Sequence, residues 1–393
     1  MQACSFDIRK FHRTCPVIPH HKPWLVVQGT NNDFFIDHGH PFGAASASSN
    51  AGMMGNAIID IWIREGVNPI VKYEDDVNVY RLPVPHGRFV DGGFSYDYDK
   101  HEAARRIASL HVPWHEAKGD PEFLFVQTYI GFLWDLPNHS VSLPPAKLVK
   151  FRERVRIFLD CYDGHRVPLR EVDKIHGSLC HVSFVYTDGR SYLASLSNFA
   201  ASFNGNEHST RYPPRSMLTD LRWWLHALSE PTPHVRHLRP RGPLQDLDIY
   251  VDASTSWGIG ILIEGRWAAF RLKSGWKIPG RDICWLESLA IELLFHFLEG
   301  MGLRDANLLV HSDSQGAIGA FEKGRCPNWH INLVVRRSFP LMARLHISPT
   351  FKYIESARNP ADPLSRGILG LHGARIPHSI QLPSELLPFL SHV

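Results

Sequence analysis

Residues Val71–Tyr80 read VKYEDDVNVY and place two neighbouring carboxylates, Asp75 and Asp76, between two runs rich in β-branched residues. Such runs around a polar pair predict a β-hairpin with the acids at its tip. Successive strand side chains point to opposite faces, so one of the acids needs a partner from elsewhere in the chain. Asp7, in SFDIRKF, also ends a short apolar stretch. If its strand pairs with the hairpin, the carboxylates converge and two divalent cations relieve their repulsion. The alternative is a solvated turn.

Composition limits the kind of protein. Of 393 residues, 44% are hydrophobic and 21% charged, as in a soluble globular protein of two or three domains. There is no run of about 18 apolar residues, which a membrane-spanning helix needs, and MQACSFDIRK lacks the apolar core of a signal peptide. We therefore expect an intracellular protein, cytoplasmic or nuclear, with no membrane partner. Six cysteines without a CxxC pair predict buried thiols rather than a zinc finger or a disulfide framework.

Periodicity and charge divide the chain. Residues 1–135 mix short apolar runs with one small-residue segment, which predicts an α+β arrangement. Residues 136–240 are helical and basic, with 15 Lys and Arg against 9 Asp and Glu between 144 and 241. This basic block is either a track for a polyanion or an ordinary solvated surface.

The C-terminal part has a different pattern. The segment PTPHVRHLRPRGP, residues 231–243, is rich in Pro and Arg and predicts a linker. Residues 241–370 follow the order βββαβαβ, which predicts a mixed five-stranded α/β sheet. Residues 371–393 are expected to form a tail.

A second set of carboxylates lies in this C-terminal block. Asp252 and Asp313 each end a predicted strand, Glu287 lies on the first helix, and Asp362 stands in SARNPADPLSRG. In the predicted sheet the first and fourth strands are neighbours, and a helix packed across them brings its glutamate to the same point. Four carboxylates in one cleft predict a two-metal site for hydrolysis, with water as the nucleophile. The alternative is a set of unrelated surface acids.

Four segments of the N-terminal block carry a resemblance. FDIRKFHRTCPV, HPFGAASASSNAG, KYEDD and TYIGFLWDL resemble, in order, palm motifs A, B and C and the primer grip of a reverse transcriptase. The form is similar to that of retrotransposons of the fungal DIRS-like or gypsy type. The resemblance implies that Asp7 and Asp75 are metal ligands, with Asp76 close by. It also implies that Phe11 or His12 contacts the incoming sugar and that Phe42 and Gly43 contact the nucleotide and the templating base. Ile130, Gly131 and Phe132 would hold the primer end, and Lys118 would be a general acid.

The C-terminal block resembles a ribonuclease H. VDAS, the ExxA pattern from Glu287, SDSQGAI and NPADPLSRG are similar to the retroelement version of that family. The resemblance implies an α/β ribonuclease H-like domain whose ligands are Asp252, Glu287, Asp313 and Asp362. It also implies two Mg²⁺ per active site, with Mn²⁺ as a substitute.

Together the resemblances imply a palm at 1–135, a helical thumb and connection at 136–240 and a ribonuclease H-like domain at 241–370. The expected function is RNA-directed DNA polymerase and RNA–DNA hybrid ribonuclease of a retrotransposon. The partners are an RNA template, a DNA primer, the hybrid and deoxynucleoside triphosphates. Most of the fingers that the family places before motif A are missing, so we expect impaired polymerisation. The alternatives are a catalytically inactive nucleic-acid-binding relic and a palm that serves only as a scaffold; the sequence leaves the oligomeric state open.

Overall fold

The computed structural model describes residues 1–41, 43–84, 94–378 and 380–393. The chain forms two compact units, one of residues 1–144 with 235–238, the other of residues 145–234 with 239–393. Among the described helices, none is both long and apolar enough to cross a bilayer.

The first unit is built on the predicted hairpin. β1, β5 and β4 form an antiparallel sheet with β5 in the centre, and the hairpin reverses at Glu74, whose φ of 52° lies in the left-handed region. Buried Trp62, from the helix α1, packs edge to face on Phe6 of β1. The elements of this unit before residue 145 are β1 (Gln2–Asp7), β2 (Val26–Gln28), β3 (Phe34–Ile36), α1 (Ala47–Arg64), β4 (Ile70–Tyr73), β5 (Asp76–Arg81), α2 (Lys100–Arg105), β6 (Val126–Tyr129), β7 (Phe132–Asp135) and β8 (Ser140–Ser142).

The second unit begins with the predicted helices. Phe151, Val155 and Phe158 recur every three or four residues along the first of them and are buried, which explains why this face turns inward. The elements of this segment are α3 (Pro145–Tyr162), β9 (Val167–Pro168), α4 (Leu169–Val182), α5 (Ala194–Ser202), β10 (Thr210–Arg211) and α6 (Arg215–Ala227). β9 and β10 pair with each other in an antiparallel arrangement.

The predicted linker is partly a strand. Within residues 231–243, the tripeptide Val235–His237 forms β11, which pairs antiparallel with Ser140–Ser142 in the sheet β11-β8-β7-β6. The prolines lie on either side of this tripeptide, so each of its residues keeps a backbone N–H for pairing. Pro and Arg content therefore predicted the flanks of the segment but missed its centre.

The C-terminal sheet has six strands rather than five, in the order β16-β15-β12-β13-β14-β17. The first and fourth strands of the block, β12 and β15, are parallel neighbours as predicted. The sixth strand, β17, comes from the predicted tail, and its three residues are too few to show an alternating pattern. The remaining elements are β12 (Leu244–Ala253), β13 (Gly258–Ile263), β14 (Arg266–Leu272), α7 (Ile283–Gly300), β15 (Asn307–Ser312), α8 (Gln315–Lys323), α9 (Trp329–Leu345), β16 (Ser348–Tyr353), α10 (Asp362–Ser365) and β17 (Leu390–His392).

Helix α7 is the centre of this core. It is buried nearly all around, between the sheet and α9. All six cysteines are free thiols, as expected, but only Cys4 and Cys15 are buried, whereas Cys161 and Cys180 are exposed.

Candidate active sites

The C-terminal acids converge because two parallel strands end at the same edge of the sheet. In the register between β12 and β15, Tyr250 lies opposite His311, so two residues further on Asp252, near the end of β12, and Asp313, just beyond β15, lie side by side. Glu287 lies in the second turn of α7, which packs across β12. One carboxylate oxygen from each of the three lies within 4.8 Å of the others.

Burial makes this cluster electrostatically costly. Asp252 is 2% exposed and Glu287 4% exposed. Burial, reinforced by Asp313 and Asp362, raises the pKa of Asp252 to about 7. Burial and the charges of Asp252 and Asp313 hold the pKa of Glu287 well above its ordinary value. Without a cation, burial and mutual repulsion therefore disfavour the simultaneous ionisation of these carboxyl groups.

The polar contacts orient the cluster but leave one atom without a partner. Glu287 Oε1 accepts a hydrogen bond from the backbone N–H of Ala253 at 3.0 Å, whereas its buried Oε2 has no partner among the described residues. Asn359 donates to Asp252 Oδ1 at 3.2 Å and to the carbonyl of Val251 at 3.0 Å. Within the described residues, no Lys, Arg or His lies within ion-pair distance of the three clustered acids. Oxygen donors without a protein cation fit a hard divalent metal ion.

Asp362 stands apart from this group. It begins the short helix α10, and its two oxygens accept bonds of 2.9–3.0 Å from the guanidinium of Arg366. Its charge raises the pKa values of Asp252 and Glu287, but it does not join the three acids. Helix α10 approaches the sheet closely because Gly260, on β13, has no side chain there.

In the first unit, the strand pairing brings Asp7 to Asp76 rather than to Asp75. Asp7 and Asp76 are direct partners across β1 and β5, whereas Asp75 lies in the turn, where its carbonyl accepts from the N–H of Ile8 at 3.1 Å. Burial, followed by the charges of Asp75 and Asp7, raises the pKa of Asp76. The three acids do not form a cluster as tight as that in the second unit.

A cavity of about 460 Å³ opens beside this pair, lined by Asp7 and Asp76 together with Lys118, Ile130 and Gly131. Lys118 Nζ lies 3.2 Å from Asp7 Oδ2. Lys118 itself is more than half exposed, so this ion pair is weak in water.

The loop that carries Lys118 is fixed to β1. Asp120 Oδ2 accepts hydrogen bonds from the backbone N–H and the hydroxyl of Ser5, at 2.8 and 2.7 Å. Gly119 adopts a φ of +82°, and a Cβ there would meet the carbonyl oxygen of Ser5 at 2.6 Å. The loop thus holds Lys118 beside Asp7 by contacts with Ser5 that its sequence did not reveal.

Three other predicted substrate residues, Phe11, His12 and Gly43, do not line this cavity. Phe11 is 4% exposed and packs in the core. His12 Nε2 lies 3.2 Å from the hydroxyl of Ser48. Gly43 has a φ of +88° with open space around it, and Phe42 lies outside the described residues.

The predicted primer grip is a hairpin tip. Ile130 and Gly131 both have positive φ, 44° and 83°, between the paired residues Tyr129 and Phe132. Two positive φ values are typical of a two-residue hairpin turn, but a β-branched residue rarely adopts one. Phe132 is buried, so of the three predicted primer-grip residues only Ile130 and Gly131 line the cavity.

Sequence reasoning missed two contributors to these sites. Asn359 fixes Asp252, and the hydroxyl of Tyr129 donates to the carbonyl of Asp76 at 3.2 Å. Asn359 lies three residues before Asp362 in NPAD, a turn-forming segment that signalled a fixed loop. Tyr129 stands next to the predicted turn but gave no separate signal.

No protein-family model and no curated protein matches the chain. Among solved structures it is similar to a foamy viral protease-reverse transcriptase, designated dRH, in complex with double-stranded DNA: TM-score 0.42, 13% identity, 90% of this chain and 56% of that one. It is also similar to a foamy viral protease-reverse transcriptase in complex with an RNA/DNA hybrid, with a TM-score of 0.44 and 11% identity; the match covers 97% of this chain and 46% of that one. A third structure, of a foamy viral protease-reverse transcriptase with double-stranded DNA, has a TM-score of 0.42 and 13% identity, and the match covers 90% of this chain and 67% of that one. The chain therefore spans about half the length of the first two. At these TM-scores the similarity assigns no function.

Proposed function

We propose that the second unit hydrolyses the RNA strand of an RNA–DNA hybrid. The observation that carries this proposal is the cluster of Asp252, Glu287 and Asp313, each with an oxygen within 4.8 Å of the others and with no ion pair to a described Lys, Arg or His. In this proposal residues 241–370 are a ribonuclease H-like domain of a retrotransposon protein, DIRS-like or gypsy-type, which acts in the cytoplasm or nucleus.

The three acids hold the metal ions, and each is positioned by its own element. Glu287 anchors one oxygen on the backbone of β12 and keeps the other directed into the cluster. Asn359 orients Asp252. These acids would hold two Mg²⁺ ions, or Mn²⁺, which when bound would supply activation of water and stabilisation of the attacking and leaving oxygens of a phosphodiester. Asp362, which binds Arg366, would be a fourth ligand if that contact were released.

A second activity is RNA-directed DNA polymerisation at Asp7, Asp75 and Asp76, with deoxynucleoside triphosphates, an RNA template and a DNA primer. The cavity beside Asp7 and Asp76, with Lys118 over it, supports this proposal. In it, residues 1–135 are a palm, residues 136–240 the thumb and connection, and Ile130 and Gly131 brace the primer. Lys118 protonates the leaving pyrophosphate.

The competing proposal is a catalytically inactive protein that only binds nucleic acid. It is favoured by the basic composition of residues 144–241 and predicts affinity that falls steeply with salt, without metal-dependent turnover.

Cleavage of a labelled RNA–DNA hybrid by the full chain in Mg²⁺ separates these proposals. We expect cleavage by the wild type and its loss, by a factor of at least one hundred, in Asp313→Asn and Glu287→Gln. Glu322→Gln is the matched control, because Glu322 is exposed on α8 and outside the cluster.

A second readout does not depend on turnover. Mg²⁺ should raise the unfolding temperature of the wild type and of Glu322→Gln, but not that of Glu287→Gln. Binding of the hybrid without cleavage or metal response would leave the inactive alternative. Primer extension by the wild type, absent in Asp7→Asn, tests the polymerase.

A further inference from the structure

A cavity of about 820 Å³ opens in the second unit, lined by residues that the proposed hydrolysis does not use. Its walls come from α5, the β9–β10 pair, the loop that follows β10, and the start of α9. None of Asp252, Glu287 and Asp313 lines it. Its volume is in the range of small-molecule sites.

Two arginines on the wall are unneutralised. Arg166 and Arg211 are exposed, and the cavity lining contains no Asp or Glu. Within the described part of the chain, neither guanidinium forms an ion pair. Arg166 Nη1 donates to the carbonyl of Thr210 at 3.2 Å, which fixes it at the edge of β10. Guanidinium groups held in this way favour a phosphate or another oxyanion.

Exposed aromatic rings stand beside these cations. Tyr212 is 60% exposed and Trp329 42% exposed, both in the cavity lining. The guanidinium of Arg166 lies 5.1 Å from the centre of the Tyr212 ring. The Tyr212 hydroxyl makes no hydrogen bond to a described residue, so neither burial nor a hydrogen bond fixes this ring. Rings open to solvent beside arginines are the combination with which proteins stack bases and pair their phosphates.

We propose that this cavity binds a nucleotide unit, with its base stacked on Tyr212 and its phosphate paired with Arg166 and Arg211. The unit is either part of a single-stranded polynucleotide or a free nucleotide, since both offer the same base and phosphate. A cavity without bound ligand, whose arginines are simply solvated, is the alternative. The site is independent of the acid cluster.

The first test measures binding of a fluorescently labelled single-stranded oligonucleotide to the full chain in EDTA, so that hydrolysis plays no part. Arg166→Ala/Arg211→Ala should bind at least tenfold more weakly than the wild type. The slope of log affinity against log salt should fall by about 0.7, since the two arginines pair with one phosphate and each phosphate contact on a single strand contributes about 0.7. Arg170→Ala/Arg266→Ala removes the same charge from exposed arginines outside the cavity and should keep the wild-type slope.

The second test separates stacking from charge and guards against misfolding. Tyr212→Ala should lower affinity roughly fivefold or more, whereas Tyr212→Phe, which keeps the ring, should bind like the wild type. Competition by ATP at micromolar concentration indicates a free nucleotide, and competition only by unlabelled oligonucleotide indicates a single strand.

Equal effects of the cavity and control arginine pairs, or equal binding by Tyr212→Ala and Tyr212→Phe, would overturn the proposal. Asp313→Asn should bind the oligonucleotide normally. Loss of the proposed hydrolysis is therefore distinguishable from loss of this site.

Discussion

Replacing Asp252 by Asn should stabilise the metal-free protein at pH 8. The buried carboxyl of Asp252 has a pKa of about 7 in the folded chain against 3.8 as its ordinary value. A raised carboxyl pKa contributes stability that is present below about pH 3.8 and is lost as pH rises through about 7. Asn has nearly the same shape, can accept from Asn359 at its side-chain oxygen, and does not ionise.

The size of the effect follows from the difference in pKa. Because one pKa unit is worth about 1.4 kcal/mol, moving a carboxyl from 3.8 to about 7 costs on the order of 4 kcal/mol at high pH. By linkage, roughly 3 kcal/mol of this cost in folding free energy develops between pH 5 and pH 8. Removing the charge also relieves the repulsion on Glu287, which acts in the same direction.

The assay is urea unfolding in EDTA at pH 5 and pH 8, followed by tryptophan fluorescence. The free energy of unfolding of Asp252→Asn minus that of the wild type should rise with pH by roughly 3 kcal/mol. Glu322→Gln should show no such rise. In millimolar Mg²⁺ the order should reverse, because only the wild type gains stability from the ion. A difference that stays flat or falls from pH 5 to pH 8 would refute the electrostatic reasoning.

Two further predictions concern packing in the second unit. Asp220 is fully buried, accepts a hydrogen bond from the Ser195 hydroxyl at 2.6 Å and lies 3.1 Å from Arg336. Asp220→Ala should lower the free energy of unfolding by about 3–5 kcal/mol, because it leaves the largely buried guanidinium of Arg336 without its ion-pair partner. A loss below about 1 kcal/mol in urea unfolding would contradict this. Gly260→Ala should lower the free energy of unfolding by about 1–3 kcal/mol through overpacking, since its Cβ would lie 2.6 Å from the Cβ of Leu364. Gly319→Ala is the control, because no described atom lies within 4 Å of a Cβ placed at this position on α8. It should be neutral or slightly stabilising in thermal unfolding.

Local patterns carried much of the prediction. The β-branched runs around Asp75 and Asp76 predicted the hairpin, and the alternation near Asp252 predicted its strand, because these signals depend on neighbouring residues. The strand Val235–His237 and the edge strand Leu390–His392 were missed, since three residues gain their stability from a partner strand rather than from their own sequence. The same limit explains why Lys118, placed by a loop anchored on Ser5, lacked a clear spacing signal.

The sequence by itself determined which acids the chain carries, the elements that hold them and the parallel neighbours that bring Asp252 and Asp313 together. Only the tertiary structure decided that Asp76 rather than Asp75 pairs with Asp7, and that Asp362 binds Arg366 instead of joining the cluster. A shift of one residue in register, or one nearby guanidinium, changes which carboxylates meet. Both depend on contacts between residues far apart in the chain, which no local pattern encodes.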